Sequence, residues 1–193
     1  MEHVISAFIT DVKAILAEDG TSELGMSRLV DRMGALTHDR DVLATHEAFT
    51  GSVAAGDGYT DTGRRSLILY NDDTGLTLVR SRFDPDEPTP IHSHSTWGVV
   101  GVYAGHDRHQ AWRRLDGGTG AGDAELEMID EQVLGPGDVV TIPHPPQDIH
   151  RQQGANGEAA HEFVLFGANA MVIPRLIFDP EQRIAREVIP GKG

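Results

Sequence analysis

A mainly β chain with α-helices at its N-terminus is predicted by two observations. Helical periodicity is confined to the first fifty or so residues, and from Ser66 onward short β-type runs alternate with turn residues. Seven or more short strands joined by turns indicate an all-β sandwich or barrel.

The elements follow in order. Val4, Ile5, Phe8, Ile9, Val12, Ile15 and Leu16 recur at helical spacing and predict an amphipathic helix that Asp19-Gly20-Thr21-Ser22 ends. A second helical pattern runs through Leu24, Met26, Leu29, Val30 and Met33, and a weaker third spans Asp41 to Phe49. Gly51 to Gly63 is a polar, glycine-rich connection. Strands are then predicted over Ser66 to Tyr70, Leu76 to Arg82, Trp97 to Tyr103, His109 to Leu115, Glu125 to Val133, Asp138 to Ile142 and Glu162 to Phe166. Asn71 to Gly75 reads as a hairpin loop and Asp116 to Asp123 as a longer, flexible one. Met171 to Gly193, with three prolines, is expected to wrap the barrel rather than add strands to it. The division is a helical segment over 1–50 packing on a β-domain over 64–193, in one structural unit.

Composition removes several function classes. The chain has no cysteine, so thiolate nucleophiles, zinc–thiolate clusters and iron–sulfur ligation are excluded, and a metal must take histidine nitrogen or oxygen ligands. A formal charge of −14 argues against nucleic acid or an anionic membrane as partner. No transmembrane run and no secretory signal pattern is present, which gives the cytoplasm as the expected location.

The chemistry concentrates in Pro90-Ile91-His92-Ser93-His94-Ser95-Thr96-Trp97-Gly98. Residues two apart on a strand share a face, so His92 and His94 can grip one ion. His150 follows the turn Gly135-Pro136-Gly137 and the apolar run to Pro143, which can return the chain to the same place. These three histidines are the candidate metal ligands.

These motifs resemble the cupin superfamily, whose first motif carries His-x-His, a glutamate and a closing glycine. Here Gly105 is the closing glycine and Gly98 stands where the glutamate belongs; Gly137 to His150, with Pro143, matches the second motif with two extra residues. The resemblance covers the last two thirds of the chain and implies a double-stranded β-helix, a jelly-roll-like barrel. Loss of the glutamate, the string Thr89 to His94 followed by Trp97 to Gly101, the helical N-terminus and Phe166-Gly167-Ala168-Asn169 are similar to the thiol dioxygenases, including cysteine dioxygenase and mercaptopropionate dioxygenase. That resemblance implies Fe(II) on three neutral histidines, with Ni, Zn or Mn as other divalent candidates, and a small anionic substrate bound beside O2. It also implies an arginine near the metal that holds the substrate carboxylate, placed at Arg65. The family's Ser-His-Tyr relay falls on Glu162, Val164 and Phe166, so its histidine and tyrosine are replaced by an apolar pair. Glu162, in phase with Val164 and Phe166, is expected to face inward as a partner of a ligand histidine, an acid/base group or an added ligand.

Ordinary readings apply elsewhere. His3, His38, His46, His106 and His109 are expected to be solvated or hydrogen-bonded imidazoles, His144 structural or at the cavity mouth, and His161 on the face opposite Glu162. Trp97 and Trp112 read as core aromatics, and Gly98 allows close packing or clears space for substrate. Three functions remain open: an iron-dependent thiol dioxygenase-type oxygenase, a lyase, isomerase or hydrolase using the metal as Lewis acid, and a non-catalytic ligand-binding barrel. In each case the partner is a small molecule.

Overall fold

The computed structural model describes residues 2–44, 65–170 and 172–189, and Arg65 by its backbone alone. Helix α1 (Glu2–Asp19) buries Ile5, Phe8, Ile9, Val12 and Ile15 on one stripe. Helix α2 (Glu23–Thr37) begins at Ser22, whose side chain caps the Gly25 N–H, and buries Leu29, Met33 and Leu36. A short helix α3 (Arg40–Leu43) starts at Asp39, whose carboxylate accepts the N–H groups of Asp41 and Val42. The rest of the predicted third helix and the Gly51–Gly63 connection lie outside the described residues.

Twelve strands follow among the described residues: β1 (Arg65–Asn71), β2 (Thr77–Phe83), β3 (Ile91–His92), β4 (Gly98–Ala104), β5 (Asp107–Arg114), β6 (Gly122–Asp123), β7 (Leu126–Leu134), β8 (Val139–Ile142), β9 (His150–Arg151), β10 (Ala160–Phe166), β11 (Arg175–Asp179) and β12 (Ile184–Val188). They form two antiparallel sheets, ordered β1-β2-β10-β4-β8 and β6-β12-β11-β3-β9-β5-β7. Apart from the β1-β2 and β11-β12 hairpins, neighbours in the sheets are not consecutive in sequence, as in the expected mainly β jelly roll with helices at its N-terminus.

The central strands β2, β10 and β4 of the five-stranded sheet are buried on both faces. Phe163 and Leu165 of β10 join Leu78, Val99 and Tyr103 in a core shared with Phe8, Leu29, Met33 and Leu36 of the helices. Alternate residues Val164 and Phe166 turn the other way and pack with Val79, Val100 and Ile142 inside the sandwich. All seven residues of β10 are therefore buried. Gly101 marks the closest approach of α2: a Cβ there would lie 2.6 Å from Met33 Cγ.

One expectation is corrected. The C-terminal segment does not wrap the barrel; β11 and β12 enter the seven-stranded sheet, with β11 directly beside β3. Pro174 immediately precedes β11 and Pro180 follows it, so the prolines bound the strand and leave its ladder intact.

Candidate metal centre

His92 and His150 are direct cross-strand partners of β3 and β9, in the middle of the seven-stranded sheet. Paired side chains share a face. That face looks across the sandwich toward the five-stranded sheet, where the Phe166 ring lies 4.6 Å from that of His94. His94 lies just past the end of β3, and its loop is tied down on three sides. Leu176 N–H donates to Ser93 Oγ and Ser93 N–H to Leu176 O, both at 3.0 Å. The N–H groups of His94 and Ser95 donate to Asp148 Oδ2 at 2.8 and 2.7 Å. Ser95, at φ 58°, donates its hydroxyl to Pro174 O.

The three imidazoles converge. Nε2 of His94 lies 3.1 Å from Nε2 of His92 and 2.8 Å from Nε2 of His150. Two nitrogens at right angles about one ion, each about 2.1 Å from it, are about 3.0 Å apart, so the spacing fits facial coordination. The donor chemistry fits too. His92 Nδ1 meets Pro90 O at 2.9 Å; a carbonyl only accepts, so Nδ1 carries the proton and Nε2 offers its lone pair. All three rings are buried. Burial, followed by the neighbouring imidazoles, holds His150 well below the ordinary histidine range, in the neutral form a metal requires. Among the described residues these three form the one cluster with ligand spacing, and no carboxylate belongs to it.

On one side of the cluster is a small chamber of about 60 Å³ lined by His92, His94, Ser66, Ser81, Thr89, Gln152, Val164, Phe166 and Arg175. Arg175 shares a face with Ile177, the cross-strand partner of His92. Its Nε is buried without a hydrogen-bond partner, and no ion-pair partner exists for it among the described residues. Burial lowers its pKa from the ordinary arginine value. Sequence reasoning missed this residue because it assigned the C-terminal segment to a wrap instead of a strand. On the His150 side a cleft of about 580 Å³ runs between β5, β7 and β8, lined by His109, Ala111, Trp112, Ile129, Ile142 and Pro143 among others.

Glu162 faces inward and is fully buried, as its phase with Val164 and Phe166 predicts. It stands apart from the ligand cluster. Its Oε2 accepts from Gln152 Nε2 at 2.6 Å, and Gln152 reaches Asp107 Oδ2 at 3.4 Å. Burial, then the nearby Asp107 carboxylate, push Glu162 well above the usual carboxyl range.

Arg65 opens β1 opposite Arg82; its side chain lies outside the described residues, as does His46. A Cβ on Gly98 would meet Leu165 O at 3.0 Å, Ile142 Cδ1 at 3.2 Å and Phe166 Cδ1 at 3.3 Å, so the glycine serves close packing. His3 is exposed and lies 3.5 Å from Asp41, while His38 meets Gly34 O and His106 meets Glu158 as hydrogen-bonded imidazoles. His144 contacts Thr21. His161 lies on the helix face near Tyr103. Trp97 belongs to the core shared with the helices, and Trp112 packs on the outer face of the seven-stranded sheet.

No protein-family model matches the chain. Among solved structures, oxalate oxidase in complex with glycolate is similar at 21% identity over 63% of this chain and 60% of that one, with a TM-score of 0.45. A cupin-like protein from Thermotoga maritima is similar at 17% identity over 66% of this chain and 87% of that one, TM-score 0.43. A cupin 2 conserved barrel domain protein from Salinispora arenicola is similar at 14% identity over 60% and 84%, TM-score 0.40. The chain spans about 60% of the length of the oxalate oxidase structures. These neighbours include cupin-fold proteins; with TM-scores below 0.5 they say nothing of this chain's chemistry, and its jelly roll is read from its own strand order. No helix among the described residues is long and apolar enough to cross a membrane.

Proposed function

We propose that the protein is a mononuclear non-haem iron(II) oxygenase of thiol dioxygenase type, acting on a small anionic substrate with O2. The observation that carries this reading is the convergence of three buried imidazole nitrogens with no carboxylate in the set. Held by His92, His94 and His150, iron(II) would supply the redox chemistry that brings a substrate atom and O2 together. The substrate's own negative charge takes the place of the missing carboxylate.

The chain's residues bind and orient. Arg175, without an ion-pair partner among the described residues, holds a substrate carboxylate in the chamber beside His92 and His94. Arg65 remains a second candidate for that role through its side chain. Glu162 accepts from Gln152, which lines the chamber, and so steadies that side chain two residues beyond His150. Val164 and Phe166 keep that wall dry. Thiol dioxygenation adds both atoms of O2 to the substrate sulfur to give a sulfinic acid, so atoms and electrons balance without a second reductant.

A second reading, a lyase, isomerase or hydrolase with the metal as Lewis acid, is favoured by one observation. The wall formed by Val164 and Phe166 has no group able to donate a hydrogen bond where the thiol dioxygenases carry histidine and tyrosine. Metal analysis of protein purified without added metal, followed by O2 uptake against thiol acids and related carboxylates, separates the two. Iron with substrate-dependent O2 uptake supports the oxygenase; metal retention with turnover but no O2 uptake supports the Lewis-acid reading.

A further inference from the structure

His109 is a hydrogen-bonded imidazole of unusual placement. It stands two residues before Ala111, the cross-strand partner of His150, so it faces the same side as that ligand. The two ring centroids are 5.1 Å apart, close to the 4.6–4.9 Å that separate the three ligand rings from one another. Yet His109 is outside the ligand cluster. It is 4% exposed, and both it and His150 line the cleft.

Asp107, with no exposed surface, determines what this imidazole offers. Its Oδ2 lies 3.2 Å from His109 Nδ1 and 3.4 Å from Gln152 Nε2, and its Oδ1 accepts Gln153 N–H at 3.2 Å. An acceptor already surrounded by donors places the proton of neutral His109 on Nδ1. Nε2 then carries a lone pair, and no described residue pairs with it. The cleft around it is walled by the apolar Trp112, Ile129, Ile142 and Pro143 and by the polar Asp130, Gln132, Thr141, Gln147 and Asp148, and within it His109 is the residue whose ring lies 5.1 Å from that of His150.

We propose that His109 is a specificity-determining residue of the centre: held by Asp107, it accepts a hydrogen bond from an O–H or N–H group that the ligand carries close to its metal-binding atom. This rests on the metal-centre reading above. It narrows the substrate class to small molecules bearing a hydroxyl or amino group next to the ligating function. An apolar analogue of the same shape leaves the Nε2 lone pair buried and unpaired, which is the usual source of strong discrimination at such sites.

The test uses the full chain loaded with cobalt(II), where thiolate binding is read from the sulfur-to-cobalt absorption. The probes are two shape-matched pairs, 2-mercaptoethanol with propane-1-thiol and 3-mercapto-1-propanol with butane-1-thiol. The hydroxyl member of at least one pair is expected to bind about tenfold more tightly. In H109L the leucine, which offers no acceptor, abolishes or reverses that preference while cobalt stays at one per chain. D107N, which keeps the shape but lets His109 place its proton on Nε2, shrinks the ratio at least about threefold; it decides the matter alone if H109L fails to fold. Alkanethiols that bind the wild type as tightly as their partners, a hydroxyl preference that survives H109L, or a ratio that D107N leaves unchanged, overturn the proposal and leave the metal centre standing. A wild-type protein that takes up no cobalt overturns the metal centre, and this proposal with it.

Discussion

Asp148 Oδ2 accepts the backbone N–H of His94 at 2.8 Å, so a carboxylate two residues before one candidate ligand positions the backbone of another. The same oxygen accepts Ser95 N–H, which locks the loop after β3 to the turn before β9. Burial raises the Asp148 pKa, and the two N–H groups oppose that rise. Removing the carboxylate in D148A is expected to lower metal affinity about 10- to 100-fold, as for other residues that orient ligands. Titration of metal-free protein with cobalt(II) measures this, and unchanged affinity would show that the loop holds without Asp148.

Arg175 makes a prediction in two directions. R175M removes a half-buried guanidinium whose Nε is buried without a partner among the described residues, so the metal-free protein is expected to unfold at the same or a higher temperature. Binding of 3-mercaptopropionate to the cobalt protein is expected to weaken about 10- to 100-fold through loss of a charge-assisted hydrogen bond. A variant that is destabilised and binds the anion as before would make Arg175 a packing residue.

The wall opposite His94 is apolar. With Val164 and Phe166 at the relay positions, turnover of cysteine or 3-mercaptopropionate is expected to be weak or absent, and a bulkier or less polar anionic thiol to be preferred. An oxygen electrode reads this directly. Efficient turnover of either small thiol, at a rate E162Q leaves unchanged, would mean that the relay is dispensable or sits elsewhere.

Far from the centre, Asp72 pins α1 to the β1–β2 hairpin. Its carboxylate meets Lys13 Nζ and the Tyr70 hydroxyl, at 2.7 and 2.8 Å, and Thr74 besides. The Lys13 hydrogen bond first, then those of Thr74 and Tyr70, depress its pKa below the usual carboxylate range. A depressed folded-state pKa contributes stability above the unfolded value of about 3.9 and loses it as pH falls. D72N is therefore expected to be less stable than wild type near pH 7, with the gap closing below about pH 4. Denaturation midpoints at both pH values check the sign.

Much of the site was legible in the sequence, because His92, His94 and His150 carry their spacing with them and Glu162 shares a phase with two large apolar residues. What escaped depended on long-range pairing. β3 and β9 are two residues each, too short for any alternation pattern, and β11 was hidden by flanking prolines that mark its ends. Arg175 could not be found without β11. In sequence His109 is an ordinary hydrogen-bonded imidazole, and in the fold it is one too; only the pairing of Ala111 with His150 brings it to the centre. The i, i+2 spacing of Asp107 and His109 was the available signal, since it places both on one strand face.

The central claim is that His92, His94 and His150 hold one metal ion. Metal content per chain of the wild type and of H92A, H94A and H150A, all purified without added metal and checked for folding by circular dichroism, tests it most directly. About one ion per wild-type chain, with most of it lost in each variant, is the predicted result. A folded wild type that neither carries nor takes up a divalent metal, or three variants that keep full metal content, would contradict it.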